Sequence, residues 1–375
     1  MKKILLFLIV FSSFIPKVIA EELIENAKNG ILIEASSGEI LYEKNKDERV
    51  PVASLTKMMV QLIILEKIED GSIKWSDNVV ASKNASGMGG TQIWLSTGEK
   101  MSVEDLFKGM SMASANDATV ALAEYISKDE KEFVKLMNNK AKELELVNTK
   151  FKNSTGLDEE GHFSSAQDLA TLARELIKHE EIFRFSSKYE DYIRVDTKNK
   201  YWIVNTNKLV RFYEGADGLK TGFTDDALYT IAATAKKDNM RLIAIVLGEK
   251  EGKVRNNETI ELLNYGFDNY KINMIKSKNN IIKTIDINKG NKKKINVYLK
   301  NDISIISKKS DKEIKYELII NINEIKLPIK SGDKVGSVDL INNNKIIKSE
   351  DLIVKEDVSK IKYLNYLFNK LIEIF

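Results

Sequence analysis

Behind one short polar run, apolar residues recur at helical spacing. After Pro51-Val52-Ala53-Ser54, the residues Met58, Met59, Leu62, Ile63, Leu65 and Ile68 predict a largely buried helix. Further helix-like segments run from Val103 to Met112 and from Ala118 to Ile126, and another starts near Ala166. Two hairpins bracket this helical region. In the first, Ile31 to Ala35 and Ile40 to Tyr42 flank Ser36-Ser37-Gly38-Glu39; in the second, Tyr229 to Ala235 and Arg241 to Leu247 flank Lys236-Lys237-Asp238-Asn239. The pattern predicts an α/β (α+β) domain, an antiparallel sheet flanked by helices. After Tyr270 come short Ile/Val-rich runs broken by Asn, Lys and Gly, including 281–285, 295–299 and 316–320, which predict a small β-sandwich.

The two ends of the chain have their own patterns. Lys2 and Lys3 precede a mostly apolar run from Ile4 to Phe14, and Val18-Ile19-Ala20 offers a cleavage site, as in a secretory signal peptide. A retained membrane anchor is the alternative, although the run is short for a span. From Asp357 to Phe375, Ile361, Leu364, Phe368, Leu371 and Phe375 fall at helical spacing among lysines, asparagines and Glu373. Such an amphipathic helix either lies in a membrane interface or packs on the β-rich domain. The expected division is therefore 1–20 signal peptide, 21–270 catalytic domain, 271–355 β-rich domain and 356–375 membrane-associating helix. The protein would act outside the cytoplasm, peripheral on the outer face of the membrane.

Composition removes several chemistries. No cysteine occurs in the 375 residues, which excludes thiol catalysis, thiolate metal sites and a lipid-modified amino-terminal cysteine. There are two histidines, His162 and His179, and neither belongs to H-E-x-x-H, so no metal or cofactor is expected. His162 reads as a loop residue, and His179 as the cation that ends the helix begun near Ala166. A net charge of +3 is too balanced for a nucleic-acid partner, and Lys289, Lys292, Lys293 and Lys294 read as a solvated basic turn.

Three short motifs then stand in order: Ser54-Leu55-Thr56-Lys57, Ser114-Ala115-Asn116 and Lys220-Thr221-Gly222. Residues three apart on a helix share a face, so Lys57 can reach the Ser54 hydroxyl. A neutral lysine, its pKa lowered by burial or nearby cations, can take that proton. Backbone N–H groups at the helix start would face a tetrahedral oxyanion. Each motif has decoys. Ser331/Lys334 and Ser359/Lys362 repeat S-x-x-K, Ser76-Asp77-Asn78 and Ser82-Lys83-Asn84 repeat S-x-N, and Lys330-Ser331-Gly332 repeats K-[ST]-G. Read alone, Ser114-Ala115-Asn116 also fits a plain helix N-cap.

The ordered set resembles the penicillin-recognising serine enzymes, and within them the low-molecular-mass penicillin-binding proteins that are D-alanyl-D-alanine carboxypeptidases. The resemblance extends through 95–99, 114–118, 153–157, 205–209 and 217–222, and covers the chain from near Ala27 to near Tyr270. It implies a β-lactamase/transpeptidase-like domain with a small β-sandwich domain after it. It makes Ser54 the nucleophile, Lys57 its base, and Ser114 and Asn116 the polar wall of the cleft. Lys220, Thr221 and Gly222 would line the substrate's carboxylate end. Arg255 stands where the family keeps an arginine for that carboxylate, its alternative being a solvated surface residue. Ser54 and Phe223 would supply the oxyanion N–H groups, with Phe223 in a place where some relatives have histidine.

The implied substrate is a peptidoglycan stem peptide ending in D-Ala-D-Ala, with β-lactam antibiotics as covalent inhibitors. The alternatives are a D,D-endopeptidase of the same family, a class A-like β-lactamase, and a catalytically silent wall-binding module. The β-lactamase lacks support, because no E-x-x-x-N pattern lies between Asp117 and Leu219. The intact Ser54, Lys57 and Lys220 argue against the silent module.

Overall fold

The computed structural model describes residues 22–312 and 315–361. The expected signal peptide and residues 362–375 of the expected amphipathic helix lie outside these residues. The expectation of a helix is corrected over 356–361, which form none because Val358 and Lys360 make antiparallel bridges to Ile329 and Gly290. Five antiparallel strands form the central sheet, in the order Ile40–Lys44, Asn29–Glu34, Met240–Glu249, Leu228–Lys237 and Ala216–Thr224. Strand alternation sends successive side chains to opposite faces. Leu242, Ala244 and Val246 pack with Leu262, Leu263 and Phe267 of the helix Gly252–Asn269. Ile243, Ile245 and Leu247 turn the other way, into the core shared by the helices Lys57–Glu69, Val103–Ala113, Asn116–Ser127, Glu130–Glu143 and Ala166–Leu176. Because both faces are covered, the strand Met240–Glu249 is almost entirely buried and apolar.

Local chemistry sets the element ends. Ser102 and Ser165 each accept a hydrogen bond at 3.1 Å, from the N–H of Asp105 and Asp168 respectively, and so start the helices at Val103 and Ala166. In the second hairpin Lys237 pairs with Met240, which leaves a two-residue turn with Asp238 in the left-handed region. The expected four-residue connection is thus shorter, because the ladder continues through Lys236 and Lys237. The helix from Ala166 stops at Leu176, before His179. His179 instead places Nδ1 2.7 Å from Glu69 Oε1, so its partner is a side chain and not a helix end.

Beyond Asn269 every helix or strand among the described residues is a β-strand. A five-stranded sheet has the order Ile281–Asp286, Lys294–Leu299, Lys345–Val354, Lys334–Asn342, Glu317–Ile322, beside a two-stranded sheet of Tyr270–Lys276 and Ile303–Lys308. Their shared core includes Ile295, Val297, Leu299, Ile303, Val338, Leu340 and Leu352. In the basic turn Lys292 pairs with Glu356, and Lys294 lies 3.9 Å from Asp286.

Candidate active site

The site begins at a short turn. Ala53–Thr56 form one turn of 3₁₀ helix, and the α-helix proper starts at Lys57. The expectation of one continuous α-helix is corrected in a way that favours contact, since side chains at i and i+3 eclipse in a 3₁₀ turn. Ala53 carries φ of 48°, and Gly156 presses on it so closely that a built Cβ would lie 1.9 Å from the Ala53 carbonyl oxygen.

Lys57 is fully buried, with Nζ 2.8 Å from Ser54 Oγ, 2.7 Å from Asn116 Oδ1 and 2.7 Å from the Thr155 carbonyl oxygen. Burial first, and then the Lys220 charge, hold its pKa well below the usual lysine value. A neutral amine has two N–H bonds and one lone pair. The amide and carbonyl oxygens can only accept, so they use both N–H bonds and turn the lone pair toward the Ser54 hydroxyl.

Asn116 is the first residue of its helix and Ser114 the left-handed residue, φ 64°, that ends the preceding one. The intervening Ala115 makes no side-chain cap, so the N-cap reading of this motif is excluded. Asn116 Nδ2 donates to the Gly89 carbonyl at 2.7 Å, which presents its oxygen to Lys57. Among the decoys, Ser82 is the plain N-cap, accepting from Ala85 N–H at 2.9 Å. Ser331 lies in a turn closed by the Lys330 N–H to Asp333 at 2.8 Å, and Lys334 pairs with Asp351.

The third motif lies on the sheet edge strand Ala216–Thr224. Lys220 pairs across the ladder with Ala232, whose side chain belongs to the core on the helical side, so Lys220 points toward the Ser54 turn. Its Nζ donates to the Thr221 carbonyl at 2.7 Å, and Thr221 Oγ1 donates to Thr206 Oγ1 at 2.7 Å. Gly222 faces the serine turn directly. A Cβ built there would stand 2.9 Å from Ser54 N and 2.6 Å from Thr230 Oγ1, so a side chain would fill the space in front of that nitrogen. Phe223 is half exposed, its ring 4.5 Å from that of Tyr229.

Arg255 is buried, which corrects the surface reading. It donates to the Thr230 carbonyl at 3.3 Å and to Asn256 Oδ1 at 2.8 Å, and forms no ion pair with a carboxylate among the described residues. Burial lowers its pKa to about 10. Burial and then the Arg255 charge lower Lys220 to about 7. Two buried cations that repel each other make a place where an incoming carboxylate gains strong charge-assisted hydrogen bonds.

Two contacts escaped the sequence. Thr155 acts through its backbone oxygen, which no side-chain pattern reveals. His162 is buried, with Nε2 2.8 Å from Thr56 Oγ1, while Nδ1 accepts from Lys152 N–H at 3.3 Å. The loop reading stands, and the structure adds a contact to it: His162 braces the Ser54 turn through Thr56, and burial holds its pKa at about 4. Its neighbours Gly161 and Phe163 gave no sign of that contact, which spans 106 residues of chain.

Two family models match the chain. The family model for D-alanyl-D-alanine carboxypeptidase matches residues 17–251, and that for the penicillin-binding protein 5 C-terminal domain matches residues 267–360. D-alanyl-D-alanine carboxypeptidase DacF of Bacillus subtilis is 44% identical over 348 residues, spanning 92% of this chain and 89% of the relative. The structure of penicillin binding protein 5 from Haemophilus influenzae superposes with a TM-score of 0.72 at 30% identity, covering 89% of this chain and 98% of that one. Penicillin-binding protein D2 from Listeria monocytogenes, solved in an ampicillin-bound form, gives a TM-score of 0.58 at 33% identity, covering 64% and 97%.

Proposed function

The chain belongs to the D-alanyl-D-alanine carboxypeptidase family, a family of serine-type hydrolases, and from that premise we propose how its residues divide the reaction. Ser54 Oγ attacks the carbonyl of the penultimate D-alanine while its proton passes to the Lys57 amine. The oxyanion is held by the N–H groups of Ser54 and Phe223. Ser114, with Asn116 beside it, carries the proton on to the leaving D-alanine, and water then releases the shortened peptide from the acyl-enzyme. Lys220, Thr221 and Arg255 hold the terminal carboxylate, with Gly222 keeping the approach to Ser54 open.

The observation that carries this reading is the Lys57 amine, held between two pure acceptors and the Ser54 hydroxyl. The substrate is a peptidoglycan stem peptide. A β-lactam, of the kind bound in the Listeria relative, would acylate the same serine. The buried Lys220 and Arg255, which form no ion pair with a carboxylate among the described residues, favour a substrate with a free C-terminus over an internal cross-link. We further propose export, removal of residues 1–20, a catalytic domain over 21–270, a β-rich domain over 271–355, and peripheral attachment to the outer face of the cytoplasmic membrane through 356–375. Mass spectrometry of a D-Ala-D-Ala pentapeptide tests the reaction. Loss of one alanine by the intact protein and none by Ser54→Ala is expected; cleavage by Ser54→Ala overturns the assignment.

A further inference from the structure

Trp94 is 67% exposed, yet its backbone is pinned from both sides in the left-handed region at φ 61°. Bulky residues avoid that conformation, and they keep it only where surrounding contacts over-determine it. Here the contacts are explicit. The buried carboxylate of Asp117 accepts from the N–H of Ile93 at 3.1 Å and of Leu95 at 2.9 Å. The Arg194 guanidinium donates to the Ile93 carbonyl at 2.9 Å and the Trp94 carbonyl at 3.4 Å, and is held by Glu99 at 2.6 Å. Asp117 follows Asn116, whose own N–H donates to the Thr91 carbonyl at 2.7 Å. The segment that displays Trp94 is thus fastened to the second motif.

Arg194 also ties this segment to a second pair of exposed rings. It follows the hairpin strand Glu190–Ile193, in which Tyr192 pairs with Trp202 of Tyr201–Val204. Paired residues share a face. Ile193 and Ile203 take the buried face, leaving Tyr192 42% and Trp202 54% exposed on the other, with Lys200 Nζ 4.1 Å from the Tyr192 ring centre. Lys108 donates to the Tyr192 carbonyl at 2.9 Å, while Ile93 packs against the adjacent Gly109. Both features therefore rest on one turn of the helix Val103–Ala113, roughly 8 Å along its axis from Ser114. The hairpin runs on to Thr206, which accepts from Thr221.

We propose that Trp94, Tyr192 and Trp202 form a platform for the sugar strand of the substrate polymer, continuous with the cleft that takes the peptide end. Pyranose rings present flat C–H faces edged by hydroxyls, which suit aromatic faces with polar tips and neighbouring lysine donors. A charged stem peptide gains less from such a surface, and the braced backbone leaves only side-chain torsions to be ordered on binding. This inference rests on the carboxypeptidase reading and concerns where the carrier of the stem lies.

The test compares two substrates: a free pentapeptide and uncross-linked peptidoglycan strands bearing the same pentapeptide. Trp202→Ala and Trp94→Ala should each lose roughly tenfold in kcat/KM on the strands, keep the rate on the free peptide, and recover with Phe. Unchanged rates on the strands, or an equal loss on the free peptide, overturn the platform. An intact protein that leaves the free pentapeptide untrimmed overturns the carboxypeptidase reading instead. Unchanged penicillin acylation in both variants reports an undisturbed Ser54 turn.

Discussion

Thr56 Oγ1 lies 2.8 Å from His162 Nε2, which joins the Ser54 turn to a loop 106 residues further along the chain. Since His162 Nδ1 accepts from the Lys152 N–H, the neutral ring carries its proton on Nε2 and donates it to Thr56. The same loop brings the Thr155 carbonyl to Lys57. His162 therefore holds the geometry around Lys57 through Thr56 and through the loop that carries Thr155.

Its pKa makes the brace measurable. The folded value, about 4, is below the ordinary 6.5, so between these pH values the unfolded chain binds a proton that the folded one does not. The stability tied to neutral His162 is fully present above pH 6.5 and is lost as pH falls toward 4. At about 1.4 kcal/mol per pH unit this amounts to ~3 kcal/mol. Urea unfolding at pH 7 and pH 4.5 should show a steeper loss in the intact protein than in His162→Gln. Equal slopes refute the assignment.

Ser54→Ala should abolish both peptide trimming and covalent labelling by a fluorescent penicillin, whereas Ser331→Ala and Ser359→Ala should keep both. The Ser331 N–H donates to Asp357, and Lys334, the lysine of that motif, is exposed and paired with Asp351. Labelling of Ser54→Ala would remove the nucleophile assignment.

Lys57→Ala should slow acylation by ~10²–10⁴-fold, the usual range for a general base. Asn116→Ala takes away one of the two acceptors that orient the amine, and should slow acylation less while keeping the direction. Stopped-flow penicillin acylation measures both, and a Lys57→Ala rate within threefold of the intact protein's would exclude the base role.

Lys220 provides a separate pH dependence. Burial and Arg255 bring its pKa down to about 7, so its positive charge is lost as pH rises through that value. KM for a free-acid peptide should therefore rise above pH 7, and Lys220→Ala should flatten that rise. A C-terminally amidated peptide should be a poor substrate at every pH. Equal hydrolysis of acid and amide would disprove the carboxylate role.

Attachment through the chain's end is tested by truncation after Ser359. The shortened protein should move to the soluble fraction and keep its rate on a free pentapeptide. Retention on the membrane, once cleavage after Ala20 has been verified, would refute attachment by the terminal segment.

Helical spacing after Ser54, the two hairpins and the order of the three motifs were legible in the chain because they depend on local periodicity and on residues a few positions apart. Apolar positions with periods of 3.6 and 2 must face a core, and S-x-x-K needs only one turn to join its members. The Ile/Val runs beyond Tyr270 announced a β-rich region for the same reason. What tertiary structure alone decided are contacts between distant segments and the solvent exposure of each group. Arg255 is buried because its helix packs on the sheet opposite Lys220, and spacing has no access to that. The lowered pKa of Lys57 comes mainly from a core assembled from several helices, the Thr155 acceptor is a backbone atom common to every residue type, and His162 meets Thr56 only when its loop closes over the serine turn. Local pattern depends on side-chain type and sequence distance, whereas desolvation and hydrogen-bond partners depend on the three-dimensional path of the chain.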